Sequence, residues 1–95
     1  MSVEWLNAAT LSLRQVHARI AADNPEAARK VVKRIQQAVE RLADFPESGR
    51  HGQVAGTREL VVPGLPYLVV YRIGKESVEI LRVFHTAQER PGGPH

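Results

Sequence analysis

The sequence contains no cysteine. That single absence removes disulfide staples, thiolate nucleophiles and cysteine-based zinc sites. No run is long and apolar enough to span a bilayer, and the N-terminus lacks a signal-peptide layout. The cytoplasm is therefore the expected compartment, and no membrane is expected as a partner. No block of basic residues forms the concentrated stripe of a dedicated nucleic-acid binder, although the formal charge is +3. The four histidines, His17, His51, His85 and His95, lack ligand spacing with one another, so no metal site is expected. Gly49-Arg50-His51-Gly52 has too few glycines for a phosphate loop and no Lys-Ser/Thr ending. No serine sits in a nucleophile elbow, and no cofactor is expected. There are no internal repeats.

What remains is a chain of 95 residues, 43% of them apolar. That suits one small domain with a thin core, placed over residues 1–91 with a short tail over 92–95. Val3, Glu4 and Trp5 alternate, as a short strand does. From Leu6 the period changes: Leu6, Ala9, Leu13, Val16 and Ile20 step by three and four, which marks one face of a helix. Asp23-Asn24-Pro25-Glu26 breaks it, with Asn24 suited to an N-cap and Pro25 to the first helical position. The second helix holds the same step through Ala28, Val31, Ile35, Ala38, Leu42 and Phe45, and Pro46 and Gly49 end it. The two make a helical hairpin.

A loop over 46–56 leads to strands at 58–62, 67–73 and 78–84, joined by short turns at 63–66 and 74–77. Short turns make the strands antiparallel neighbours. Segregated helices and strands argue an α+β fold, a helical hairpin on an antiparallel sheet of three to four strands. With Ile73 opposite Val78, strict alternation places Tyr67, Val69, Tyr71, Ile73, Val78, Ile80, Arg82 and Phe84 on one face. Leu68, Val70, Arg72, Glu79, Leu81, Val83 and His85 fall on the other. Arg72 then pairs with Glu79 across the strands. Arg82 has no carboxylate opposite, so its guanidinium snorkels past Val69 or lies on an aromatic ring. Both faces are apolar, which implies a second, partner-binding surface.

One constellation carries possible chemistry. Arg58, Arg72, Arg82 and His85 are basic groups on a small sheet, and metal-free RNA cleavage can run on an acid/base group with arginines that hold the phosphate, His85 with Arg58 and Arg82 being the set expected for it. His85 suits the acid/base role. The plainer alternative is a structural histidine at a strand end and an Arg58 paired with a neighbouring glutamate.

The sequence resembles the ParE/RelE-type toxins of bacterial toxin–antitoxin modules. The resemblance is carried by Asp23-Asn24-Pro25 between two helices, Phe45-Pro46 followed by Ser48-Gly49-Arg50, the stretch Gly56 to Val62, Pro66 to Arg72, and Ile80 to His85. It runs from Val3 to about Pro91. It implies a toxin neutralised by a cognate antitoxin in a hetero-oligomer, by an acidic antitoxin segment that folds on binding. The expected antitoxin surface is Leu68, Val70, Leu81 and Val83, bordered by Arg72 and His85. In the RelE-like branch, which cuts mRNA on the ribosome, an arginine occupies the place that falls here on Leu68. The sequence is therefore more similar to the ParE branch, whose members poison DNA gyrase, with Arg58, Arg82 and Arg90 as candidate target contacts. An mRNA endoribonuclease and a degenerate toxin that only binds its antitoxin are the alternatives.

Overall fold

The computed structural model describes residues 1–87. Arg90 and the tail over 92–95 lie outside the described residues. The elements run β1 (Ser2–Trp5), α1 (Asn7–Ala21), α2 (Pro25–Glu40), a 3-10 turn (Arg41–Ala43), β2 (Arg50–His51), β3 (Arg58–Val61), β4 (Tyr67–Ile73) and β5 (Ser77–His85). The fold is α+β, two helices packed on one sheet. The sheet has five strands in the order β1-β5-β4-β3-β2. It is mixed and not wholly antiparallel, because β1 runs parallel to β5. The two-residue β2, expected as loop, adds the far edge strand by pairing with β3.

The helix boundary between α1 and α2 follows from its residues. Asn24 has extended backbone, and its side-chain oxygen accepts from the Ala27 N–H at 3.0 Å, with Pro25 at the first helical position. That satisfies one of the donors a helix start leaves open. The far end of α2 departs from expectation. The chain tightens to a 3-10 turn at Arg41–Ala43, which shifts the phase of the apolar step. Leu42 stays in the core, but Phe45 is thrown outward and is 61% exposed.

The core lies between the hairpin and one sheet face. Ala9, Val16, Ile35, Val39 and Leu42 from the helices meet Val69, Tyr71, Val78, Ile80 and Val83 from the strands. β5 is central for its first half only. β1 ends opposite Ile80, so the later N–H groups on that side of β5 have no strand to pair with. α1 supplies a substitute. The buried Ser12 hydroxyl accepts from the Val83 N–H at 2.9 Å and donates to the Ala9 carbonyl at 2.9 Å. Replacing Ser12 with Ala orphans a buried N–H, which costs about 1–3 kcal/mol. The urea midpoint of Ser12→Ala should fall accordingly, and an unchanged midpoint would show that the bond contributes nothing.

The β4–β5 pairing corrects the sequence-based register. From Tyr71↔Ile80 to Ile73↔Val78 it is as expected, including Arg72↔Glu79, but a bulge follows between Val70 and Tyr71. Leu81 becomes the extra residue, and Val70 pairs with Arg82, Val69 with Val83, Leu68 with Phe84 and Tyr67 with His85. An extra residue reverses the facing of everything beyond it. Val83 and His85 therefore share the helix-covered face, while Arg82 and Phe84 join Leu68 and Val70 on the opposite face.

Candidate functional site

Of the expected residues, Arg82 and His85 line one small hollow with Ser12, Arg19 and Tyr67, and Arg58 stands apart from them. Arg58 sits opposite Tyr71, and His85 sits opposite Tyr67. Tyr67 and Tyr71 are four residues apart on β4, about 13 Å at the ordinary strand rise. Arg82 has its guanidinium 5.2 Å from the centre of the Phe84 ring. The aromatic option for Arg82 is thus the observed one, reached through a bulge and with a neighbour on its own strand.

Each of these groups also has a local structural role. Arg58 Nη1 donates to the Gly49 carbonyl at 2.8 Å and to the Glu47 carbonyl at 3.3 Å. It fastens the 46–50 loop, and a pairing with a neighbouring glutamate does not carry it. His85 Nδ1 accepts from the Ala87 N–H at 3.1 Å, and its ring meets Tyr67 edge-on at 5.4 Å between centroids. Arg72 Nε donates to Glu79 Oε1 as the register required. Among the described residues no group of three or more His, Asp or Glu could hold a metal ion, and no helix is long and apolar enough to cross a membrane.

The expected antitoxin surface divides in two. Leu68, Val70 and Leu81 lie with Arg72 on the face away from the helices, and Val83 and His85 do not. Leu68 is fully buried. A hollow of about 210 Å3 on this face is lined by Val54, Val70, Leu81, Arg82, Phe84 and the buried Glu59. Glu59 is 5% exposed and is bridged by Arg50 at 3.2 Å.

Sequence reasoning missed the role of Tyr71. Tyr71 is fully buried beneath the 46–50 loop. Its hydroxyl accepts from the Gly49 N–H at 2.9 Å and donates to the Pro46 carbonyl at 2.7 Å. Burial pushes the Tyr71 hydroxyl pKa up, against the opposing pull of the Gly49 N–H and the Arg58 charge. Tyr71 and Arg58 together pin the loop that follows the exposed Phe45. A tyrosine on the core face of a strand was the available signal, because a buried phenol needs a partner.

A family model described as the ParE toxin of the type II toxin–antitoxin system, parDE, matches residues 3–90. Y4kP of Sinorhizobium fredii, whose name marks it as a toxin, is 45% identical over 89 residues, covering 94% of this chain and 92% of that protein. Toxin RelE2 of Caulobacter vibrioides is 35% identical over 86 residues, covering 90% of this chain and 96% of that one. A solved chain from the chromosomal ParDE TA system of P. aeruginosa superposes with a TM-score of 0.81 at 27% identity. The superposition covers 90% of this chain and 95% of the other.

Proposed function

The chain belongs to the ParE toxin family of type II toxin–antitoxin systems, and from that premise we propose that it acts in the cytoplasm by inhibiting DNA gyrase through protein contact. The observation that carries this reading is the separation of Arg58 from His85, which sit opposite Tyr71 and Tyr67 respectively. A phosphodiester can be attacked only where the acid/base group and the charge-stabilising donors converge within hydrogen-bond reach of the same phosphate. Here the imidazole and the Arg58 guanidinium are held at different ends of β4, while Arg82, which lines a hollow with His85, has its guanidinium engaged over the Phe84 ring. At the place where a cutting relative would keep a cation stands Leu68, which is apolar and fully buried.

Membership of the family also implies an antitoxin partner. The positive net charge favours a partner segment rich in carboxylates, one that orders on the toxin as it binds. Induced expression of this chain in bacteria should arrest growth with gyrase-linked DNA breaks. Co-expression of the protein encoded by the adjoining reading frame should restore growth. Arrest accompanied by cut messenger RNA and intact DNA would contradict the gyrase reading.

A further inference from the structure

α1 packs against β5, whose second half lies beyond the point where β1 ends opposite Ile80. A small hollow sits at this crossing. Its volume is about 50 Å3, and Ser12, Gln15 and Arg19 of α1 line it together with Tyr67 of β4 and Arg82 and His85 of β5. The three α1 residues step by three and four, so one face of the helix carries them. The crossing is fastened before anything enters. The Ser12 hydroxyl joins the Val83 N–H to the Ala9 carbonyl, and walls already in place avoid one of the main costs of binding.

The lining is chemically one-sided. It offers two guanidinium groups, an imidazole, a carboxamide and a phenol, and no carboxylate lines it. Elsewhere in the sheet, Arg50 and Arg72 are each bridged to a glutamate. Among the described residues, Arg19 and Arg82 have no ion-pair partner. Tyr67 is 5% exposed, and among the described residues its hydroxyl has no hydrogen-bond partner. Tyr71, the other buried tyrosine, has two. A buried hydroxyl without a partner costs free energy, and a ligand that supplies the partner recovers it.

The geometry points to this hollow as a binding site for a single phosphate group. Its donors come from three elements, α1, β4 and β5. That spread suits a tetrahedral oxyanion better than a planar carboxylate, and guanidinium groups match phosphate oxygens well. A water needs roughly 10–15 Å3 of such space, so the hollow takes one compact group of a few heavy atoms and leaves no room for a base or sugar. Inorganic phosphate and the terminal phosphate of a nucleotide share this chemistry. No bond breaks on binding, and the site is independent of which macromolecule the toxin acts on.

The test is thermal unfolding in sodium phosphate against sodium chloride of equal ionic strength. The wild-type midpoint should rise with phosphate concentration, as one-site binding to the native state requires. Arg19→Ala truncates an exposed side chain, so the fold should hold, and phosphate affinity should fall about tenfold or more. Arg14→Ala removes the same charge from α1 outside the hollow and should leave the affinity within about twofold, because a distant exposed charge is screened. Tyr67→Phe should be at least as stable as the wild type in chloride, since no partner is lost, and should gain less from phosphate. Amide shifts on titration with phosphate should concentrate at Gln15, Arg19 and Val83. Adenosine monophosphate distinguishes the sources: binding at least as tight as that of inorganic phosphate assigns the site to nucleotides, and weaker binding assigns it to the free ion. No rise beyond that in chloride would overturn the site. Equal losses in Arg19→Ala and Arg14→Ala, or a Tyr67→Phe variant less stable than the wild type in chloride, would overturn it as well.

Discussion

Gly49→Ala is expected to lower the stability by about 3 kcal/mol. A Cβ at position 49 would lie 2.5 Å from the Tyr71 hydroxyl, 2.7 Å from Tyr71 Cε1 and 2.8 Å from the Glu59 carbonyl. None of the three can yield easily. The ring is packed in the core, and the carbonyl belongs to β3. Overpacking of this kind costs about 1–3 kcal/mol. Displacing the loop would in addition strain or break the two hydrogen bonds of the phenol, leaving buried polar atoms that cost about 1–3 kcal/mol. For a domain of this size the melting temperature should drop by roughly 12–24 °C. A cycle with Tyr71→Phe isolates the cause. Removing the hydroxyl removes the worst clash, so the double variant should be more stable than additivity predicts, by about 1 kcal/mol or more. Strict additivity would mean that the methyl group is resisted by something other than Tyr71.

The second large effect is alkaline. The Tyr71 hydroxyl has its pKa raised in the folded chain, chiefly by burial. In the unfolded chain it ionises near pH 10. Between that value and the higher folded pKa the unfolded state holds fewer protons than the native state. The stabilising contribution is therefore fully present below about pH 10, and it is lost as the pH rises through the folded pKa. The slope reaches at most about 1.4 kcal/mol per pH unit for one proton. Urea unfolding at pH 8 and pH 11 should show the wild type losing much more than Tyr71→Phe, so that the two curves converge at high pH. Parallel curves would mean that the phenol does not titrate with unfolding.

How much of this was written in the sequence depends on how local the cause is. The helices were legible because their signals lie within a few residues: the Asn24 cap, Pro25, and apolar residues at three-four spacing. Phe45 obeyed that spacing and still points outward, since the period holds only while the helix does, and the chain tightens at Arg41–Ala43. β1 was legible as a strand, but its pairing with β5 was not, because alternation says nothing about a partner so far along the chain. β2 has two residues with glycines at 49 and 52 around them, too short to show a period.

The bulge at Leu81 was announced by a contradiction. Strict alternation sends Arg82 toward the core against Val69 with no carboxylate in reach. Burying an unpaired guanidinium costs several kcal/mol. Inserting one residue into the register is the cheaper arrangement, and it turns Arg82 out over Phe84. The same insertion carries Val83 and His85 to the helix side, which is why an antitoxin surface drawn from alternation alone does not hold together.

The central claim is that this toxin grips a protein and does not cut RNA. Purified toxin added to DNA gyrase and supercoiled plasmid tests it directly. The expected result is accumulation of covalent gyrase–DNA complexes, seen as linear DNA after denaturation, undiminished in His85→Ala and abolished by the antitoxin. Messenger RNA on programmed ribosomes should stay whole in the same preparation. Cleaved messenger RNA that disappears with His85→Ala, in the absence of any gyrase–DNA complex, would contradict the account.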